Sequence, residues 1–228
     1  MNILCVICAR KGSKGIKGKN MIDINGKKLI DLTIDHAKNA NTFDNIVIST
    51  DSKLIQKHAI KNNISCWFLR PKSLSGDSAP KLDVIRHTLL EAENKLNKKF
   101  DFICDLDVTS PLRKIEDIIK AYKIFIKKNY DILFSVTEAN KNPYFNIVEK
   151  NKGKVNLVKR LNRNIFSRQK APKVYEMNAS MYFWKRKSLL LRKTLFGNNV
   201  GIYEMPRDRS IDIDDHLDLK MVKYLLKK

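Results

Sequence analysis

The chain has 228 residues, 43% of them hydrophobic and 30% charged, a composition typical of one folded globular domain and not of a disordered chain. No apolar run approaches the ~20 residues of a membrane-spanning helix, and the first apolar run is too short for a signal peptide, so we expect a cytoplasmic protein with no membrane partner. The net charge of +21 is compatible with a nucleic-acid-binding protein, but lysine supplies most of the cations and is spread along the chain, which favours a solvated surface.

The first predicted strand leads into a basic, glycine-rich loop. The apolar run ILCVIC (3–8) is followed by ARKGSKGIKGKN (9–20), which contains no carboxylate. Such a loop can present backbone N–H groups and cations to an anion. Its spacing fits neither the P-loop nor the dinucleotide fingerprint, because Lys17 stands where the P-loop has its second glycine and the glycines fall at 12, 15 and 18. The loop therefore predicts an anion site of another kind, with a flexible surface loop as the alternative.

Strand-like apolar runs then alternate with helical patterns. The predicted strands are 2–8, 45–50, 64–69, 101–106 and 131–136, and the predicted helices are 29–40, 52–63, 81–96 and 116–128. An extended stretch, MIDINGKK (21–28), has an Asn-Gly turn. Near-continuous apolar strands separated by helices are typical of a parallel sheet covered on both faces. The sequence predicts an α/β fold with a doubly wound, mostly parallel sheet that binds ligands at the carboxyl ends of its strands.

The alternation stops between about residues 137 and 178. This stretch has the pattern of short antiparallel strands, with turns at Asn142-Pro143 and Lys152-Gly153. We interpret 137–178 as an arm, inserted into a single domain that spans 1–228, which contacts a second copy of the chain. A strand at 179–184 then returns to the core.

The last residues, SIDIDDHLDLKMVKYLLKK (210–228), predict a short strand, an acidic turn and an amphipathic helix. Asp212 and Asp214 are two apart on the extended part, so their carboxylates point to one side and can share a hard cation such as Mg²⁺. Capping of the final helix by Asp214 or Asp215 is the alternative. Both hold if Asp215 is the cap.

Several motifs, in order over nearly the whole chain, resemble those of the acylneuraminate cytidylyltransferases, the CMP-sialic acid synthetase family. They are ARKGSKGIKGKN (9–20), VISTDS (47–52), LRP (69–71), TSPLR (109–113), NASMY (178–182) and SIDIDDHLDL (210–219). The stretches 141–149, 171–184 and 195–214 look most like the CMP-legionaminic acid synthases. The resemblance implies a Rossmann-like nucleotidyltransferase fold, a homodimer, and a reaction that joins a nine-carbon 2-keto sugar acid to CMP from CTP and releases pyrophosphate.

The resemblance also implies roles for individual residues. The nucleotide-binding set is Arg10, Ser13, Lys14, Lys19, Asn20 and Arg70. Within it, Arg10 and Lys19 clamp the phosphates and take part in catalysis, and Arg70 reads the cytosine, with an ordinary surface cation as the alternative. Asp212 and Asp214 would hold the cofactor Mg²⁺, which makes Asp212 the third catalytic residue.

Two positions depart from the sialic acid pattern. Asp107-Val108 stands where those enzymes tend to carry Gln-Pro, and Glu176 stands where they tend to carry Arg. Either the sugar carboxylate is met elsewhere, with Arg168 the best candidate, or the two acids bind different sugar substituents; Asp107 could also help to hold Mg²⁺. The sugar-binding set is Asp107, Arg168, Glu176, Asn178 and Tyr182. Altered polar contacts favour a nonulosonic acid other than sialic acid without naming it; the resemblance to the CMP-legionaminic acid synthases implies N,N'-diacetyllegionaminic acid.

Alternatives remain within and outside this class. A CMP-N-acetylneuraminic acid or CMP-pseudaminic acid synthetase would share the same motifs, and a CMP-Kdo synthetase would share the architecture. An inactive homologue would not be expected to keep Arg10, Lys19, Asp212 and Asp214 together. A basic nucleic-acid-binding protein would need exposed aromatic side chains along a basic stripe, whereas the aromatics Trp67, Phe68, Phe102 and Phe134 fall in predicted core strands, so we expect no nucleic-acid partner.

Overall fold

The computed structural model describes residues 1–13, 15–162 and 165–227. Ten strands are present in this part of the chain: β1 Ile3–Cys8, β2 Asp23–Ile24, β3 Lys27–Lys28, β4 Asn45–Ser49, β5 Phe102–Leu106, β6 Ile132–Glu138, β7 Val148–Asn151, β8 Lys154–Leu157, β9 Tyr175–Lys185 and β10 Val200–Glu204. The α-helices are α1 Leu29–Asn39, α2 Lys53–Lys61, α3 Lys81–Leu96, α4 Ile115–Lys127, α5 Arg186–Leu191 and α6 His216–Leu225.

Six strands form the central sheet in the order β10-β6-β9-β5-β1-β4. Neighbouring strands are parallel except around β9, which runs antiparallel to both β5 and β6. This sheet confirms the predicted α/β class with a mostly parallel sheet. None of the helices within the described residues is long and apolar enough to cross a membrane.

Helices cover both faces of the sheet, which explains why its strands read as continuous apolar runs. Along β1, Ile3, Cys5 and Ile7 belong to the core on the side of α1, α2, α4 and α6. The alternate residues Leu4 and Val6 belong to the core on the side of α3 and α5. Because successive strand side chains point to opposite faces, both sets have to be apolar.

Two predicted strands are absent. In the run 64–69 only Ser65 forms a bridge, with Val47, because Cys66, Trp67 and Phe68 pack against the two cores rather than in a ladder. The expected strand at 210–214 is irregular backbone instead, held by a hydrogen bond of 2.8 Å from the Ile213 N–H to the Thr109 carbonyl. β10 and α5, which have only five and six residues, were not predicted.

The predicted arm contains the antiparallel pair β7–β8, with Lys152 and Gly153 at positive φ in the turn between them. The core strands extend into both ends of the predicted range. β6 continues to Glu138 and β9 begins at Tyr175, and these two residues pair with each other. The segment between the two core strands is therefore 139–174, shorter than the predicted 137–178.

Candidate functional site

A cleft of about 350 Å³ lies at the carboxyl end of the sheet, where β1 and β5 lead into loops. Its lining includes most of the residues predicted to bind nucleotide or metal, namely Arg10, Ser13, Lys19, Asn20, Arg70, Asp107, Asp212 and Asp214. The predicted nucleotide-binding residue Lys14 lies outside the described residues. Ligands of doubly wound sheets bind at this edge, so the fold brings together residues from distant parts of the chain at the expected place.

The glycine-rich loop forms one wall of the cleft. Gly18 is in the left-handed region at φ 66° and leads into a single helical turn, Lys19–Met21, which buries Asn20. The Asn20 amide donates to the Arg10 carbonyl at 2.9 Å, and this bond ties the two ends of the loop together. The Arg10 guanidinium pairs with Asp77 across the cleft.

Close packing joins this loop to the acidic segment near the C-terminus. A side chain on Gly15 would place its Cβ 1.9 Å from the Asp214 carbonyl oxygen, a distance that no substituted residue tolerates. The Lys19 ammonium donates to the Ile213 carbonyl and lies 3.4 Å from the Asp214 carboxylate. The two segments most strongly implicated by sequence are therefore one structural unit.

Arg70 is buried, with 7% of its surface exposed, and is not a surface cation. Its guanidinium donates to the Ser49 hydroxyl at 3.1 Å and to the Ser49 carbonyl at 2.6 Å, at the end of β4. The backbone N–H of Arg70 donates to the Thr50 carbonyl at 2.7 Å. These bonds fix Arg70 at the cleft, and the two from its side chain use two of its five guanidinium N–H donors.

The opposite wall is acidic. Asp107 accepts hydrogen bonds from the Thr109 N–H at 3.2 Å and the Thr109 hydroxyl at 3.0 Å. Although burial alone would raise the pKa of Asp107, Lys81 and Thr109 lower it to about 2. For Asp212, burial and the neighbouring carboxylates Asp107 and Asp214 raise the pKa to about 6, against the opposing effects of Thr109 and Lys19. The two carboxyl groups thus differ in acidity because, among the described residues, Asp107 has a cation at 2.6 Å whereas Lys19 only partly offsets the burial of Asp212.

The acidic segment also caps α6. Asp215 accepts from the backbone N–H groups of Leu217 and Asp218, and Asp218 accepts from the Asp215 N–H, which completes a capping box. The alternative of Asp215 as the helix cap is confirmed. Asp214 remains exposed on the cleft side.

Sequence reasoning missed three charged residues around the cleft. Lys81, the first residue of α3, lies 2.6 Å from Asp107 and 2.7 Å from the fully buried Asp105. Arg113, also fully buried, donates to the carbonyls of Asp107 and Ser180 and so supports the loop after β5. In the sequence, the signal for these charged contacts was Asp105, a carboxylate within the apolar run DFICDL (101–106).

The predicted sugar-binding residues are mostly elsewhere. Arg168 donates to the Ala139 carbonyl at 3.1 Å beside a separate cavity, and Glu176 is exposed on β9. Asn178 is buried between Ser135, Met205 and Ser210. Of this set, Asp107 lines the cleft, and Tyr182, with its ring 5.2 Å from the Lys81 ammonium, is next to it. Within one chain, the cleft therefore unites Asp107 with those predicted nucleotide and metal residues that the structure describes, but it does not include Arg168, Glu176 or Asn178.

The donor set fits a hard cation in one respect. The Oδ1 atom of Asp212 is buried and has no hydrogen-bond partner among the described residues, and such an orphaned carboxylate oxygen is costly unless a cation or water satisfies it. Asp214 lines the same cleft. No group of three or more His, Cys, Asp or Glu side chains in the described ranges is arranged as a metal site.

Comparison with known proteins gives concordant matches over the full chain. A family model described as cytidylyltransferase matches residues 4–226. The chain is 44% identical to post-translational flagellin modification protein B of Campylobacter coli, with 99% of this chain and 95% of that protein covered. It is 43% identical to the CMP-N,N'-diacetyllegionaminic acid synthase of Campylobacter jejuni (98% and 94% covered) and 33% identical to the pseudaminic acid cytidylyltransferase of the same species (100% and 97%).

Among solved structures, a CMP:2-keto-3-deoxy-manno-octonic acid synthetase complexed with CTP superposes with a TM-score of 0.73 at 16% identity. The match covers 100% of this chain and 99% of that one. At this level of identity the likeness concerns the fold alone.

Proposed function

Because the chain belongs to the cytidylyltransferase family, we propose that it is a CMP-nonulosonic acid synthetase whose preferred substrate is N,N'-diacetyllegionaminic acid. The enzyme would transfer CMP from CTP to the anomeric hydroxyl of this nine-carbon 2-keto sugar acid and release pyrophosphate. The observation that carries the proposal is the cleft itself, where the loop cations Arg10 and Lys19 face the carboxylates Asp212 and Asp214.

The charges of the cleft fit a nucleotide that binds together with a divalent cation. The cations at the cleft are Arg10, Lys19, Arg70 and Lys81, and the carboxylates, with Asp105 beneath the floor, are Asp77, Asp105, Asp107, Asp212 and Asp214. Among the residues that the structure describes, which do not include Lys14, these cations do not outnumber the carboxylates, although the chain as a whole has a net charge of +21. A triphosphate entering such a balanced site needs additional positive charge, and Mg²⁺ is the usual companion of nucleotide phosphates.

Each wall of the cleft has a task in this reaction. Arg10 and Lys19 would hold the phosphates and stabilise the charge of the departing pyrophosphate. Arg70 would orient the base through its other guanidinium N–H groups. Asp212 and Asp214 are the residues that would hold Mg²⁺, which when bound neutralises phosphate charge. The anomeric oxygen bonds to the α-phosphorus as the bond to pyrophosphate breaks, and the hydroxyl proton passes to solvent, so the protein supplies position and charge without a covalent intermediate.

The choice of sugar rests on the relatives and on Asp107. A named CMP-N,N'-diacetyllegionaminic acid synthase is 43% identical to this chain, against 33% for a pseudaminic acid cytidylyltransferase. Asp107 provides an anionic hydrogen-bond acceptor on the cleft wall. Such an acceptor suits a substrate that presents an N–H or O–H donor, as an acylamino group does.

The arm supports a homodimer in which the partner completes the sugar site. Arg168, Glu176 and Asn178 do not line the cleft of their own chain, whereas an arm that crosses to a second copy could bring some of its residues to the partner's cleft. In the β7–β8 hairpin, Val148 and Val155 are on one face and are 60% and 61% exposed. Exposed apolar side chains of this kind mark contact surfaces. We place this homodimer in the cytoplasm, where CTP is available.

The test is pyrophosphate release from CTP and Mg²⁺ with a panel of four acids: legionaminic (as the N,N'-diacetyl form), pseudaminic, N-acetylneuraminic and Kdo. We expect release that requires both CTP and sugar, with the highest kcat/KM for the legionaminic acid. Preference for another nine-carbon acid would correct the substrate but keep the class. Preference for Kdo, or no sugar-dependent release despite bound CTP, would refute the proposal.

A further inference from the structure

Lys81 occupies a position that the proposed reaction does not explain. It is the first residue of α3 and reaches into the cleft, with 39% of its side chain exposed. Its ammonium nitrogen lies between two carboxylates from the end of β5, 2.7 Å from Asp105 Oδ2 and 2.6 Å from Asp107 Oδ2. Asp105 is completely buried, and its contact with the Lys81 ammonium holds that side chain from below.

The same contact immobilises Asp107. Its Oδ2 atom accepts from Lys81, while its Oδ1 atom accepts from the N–H and the hydroxyl of Thr109. Both carboxylate oxygens are thus engaged by donors of the protein. The two candidate cation ligands differ from Asp107 in this respect, since Asp212 has an orphaned oxygen and Asp214 is exposed.

Asp107 is nevertheless close to those two residues. It lines the same cleft, and its charge is the main electrostatic influence on Asp212 after burial. Three carboxylates around one hard cation bind it more tightly than two, because affinity follows the number of charged ligands. A cation that is bound with a nucleotide and released with pyrophosphate must not be held too strongly by the protein.

We propose that Lys81 is a positioning residue that holds Asp107 away from the cation site of Asp212 and Asp214. The inference rests on the proposed function, in that it assumes a divalent cation at these two carboxylates. Lys81 sets the number of carboxylates available to the cation, and it does so through a contact with Asp107 rather than by touching the substrate.

The test is a double-mutant cycle on Mn²⁺ binding to the full-length protein without nucleotide, with free Mn²⁺ measured by electron paramagnetic resonance. Four proteins are compared: the natural chain, Lys81→Met, Asp107→Asn and the double variant. We expect Lys81→Met to tighten Mn²⁺ binding about fivefold or more, and to have no such effect when Asp107 is already Asn. If Mn²⁺ binding by the natural chain is too weak to detect, binding that becomes detectable in Lys81→Met but not in the double variant supports the proposal equally.

The cycle separates positioning from simple charge removal. If loss of the Lys81 charge alone attracts the cation, Lys81→Met will tighten binding to the same extent in the Asp107→Asn background, and the proposal is overturned. Unchanged or weaker binding by Lys81→Met, or no Mn²⁺ uptake by any of the four proteins, also overturns it. Sugar-dependent pyrophosphate release by the natural chain is measured alongside, so that failure of the proposed function is seen separately.

Two further variants serve as controls, one for the loss of any helix-start lysine and one for misfolding of Lys81→Met. Lys53 is also a lysine at the first position of a helix, α2, but it is exposed and lies outside the cleft, so Lys53→Met should leave Mn²⁺ binding unchanged. If Lys81→Met fails to fold because Asp105 is left without a cation, the whole cycle is repeated with Asp105→Asn in every protein. Asp105 then carries no charge that loss of Lys81 could leave buried, and the same expected pattern applies.

Discussion

At the scale of single residues, two lysines of the glycine-rich loop that are equivalent in sequence have different environments in the fold. Lys11 and Lys19 belong to the same loop, but only Lys19 lines the cleft, where it contacts the Ile213 carbonyl and Asp214. Lys11 has an exposed side chain, and its N–H donates to Asp51 at 2.6 Å. A ligand in the cleft therefore meets one of these ammonium groups and not the other.

This difference makes Lys11 a matched control for Lys19. We expect Lys19→Met to lower kcat/KM for CTP by about ten- to hundredfold, the effect of removing one charge-assisted hydrogen bond. Lys11→Met should change it less than about twofold, as is usual for an exposed charge. Steady-state kinetics at saturating sugar checks both values, and equal losses for the two variants would mean that the loop acts through its overall charge.

Whether the sequence could predict that a residue belongs to the cleft depended on whether the residue lies in a recognisable motif. Arg10, Lys19, Arg70 and Asp212 belong to recognisable motifs, and all four line the cleft. The role of Lys81 could not be predicted from the sequence, because a lysine at the start of a helical pattern in a lysine-rich chain is usually a surface residue. Its partners are 24 and 26 positions away in sequence, and only the fold brings them together.

At the scale of elements, a buried carboxylate near the end of α3 connects this helix with the start of α5. Glu93 accepts two hydrogen bonds from Arg186, at 2.7 Å and 2.9 Å, and one from Lys99 at 2.8 Å. Burial alone would raise the pKa of Glu93, but Arg186 and Lys99 lower it to about 2. This network connects α3 with the start of α5, far from the cleft.

Glu93→Gln should lower the free energy of unfolding at pH 7 by about 3 kcal/mol, the usual cost of breaking a buried ion pair. Since the folded-state pKa lies below the ordinary value of 4.5, the stabilisation is complete above that pH and is lost as the pH falls towards about 2. Denaturant unfolding at several pH values checks this. Glu91→Gln, on the same helix but half exposed, should change stability by less than about 0.5 kcal/mol. A Glu93 effect that does not shrink with falling pH would contradict the assignment.

The arm hairpin can be tested through its two faces. Val148 and Val155 share one face with Leu157, whereas the opposite face carries Asn151 and Asn156. We expect the natural chain to have twice the 26.5 kDa mass of one copy, and the double substitution of both valines by Asp to give monomers, because buried charges oppose association. Light scattering after size-exclusion chromatography measures the mass. Asn151→Asp, on the polar face, should remain dimeric; a natural chain that is monomeric would contradict the proposed arm.

Elements were predictable where hydrophobic periodicity and burial coincide. β1, α1, α3, β5, α4 and β6 all match their predicted positions within one or two residues. The run 64–69 is as apolar as a strand, yet it packs on the cores beyond the sheet edge and pairs at one residue only. Apolar composition reports burial, and whether a buried segment pairs depends on neighbours that the sequence alone does not identify.

At the scale of the whole molecule, the large positive charge is unevenly used. The chain has a net charge of +21, but among the described residues around the cleft the carboxylates at least match the cations. The excess lysines therefore lie on the rest of the surface, where they favour solubility and a general attraction of anions. The cleft is specialised for a ligand that combines phosphate groups with a cation, and the overall charge says little about it.

The most direct test of the central claim is identification of the reaction product by ³¹P NMR and mass spectrometry. CTP, Mg²⁺ and N,N'-diacetyllegionaminic acid are incubated with the natural chain and, as a control, with Asp212→Asn. We expect one molecule of the CMP-linked sugar acid for each pyrophosphate formed, and a large loss of turnover in the variant. Release of free CMP without the sugar conjugate, or equal turnover by Asp212→Asn at saturating Mg²⁺, would contradict the proposed transfer at this cleft.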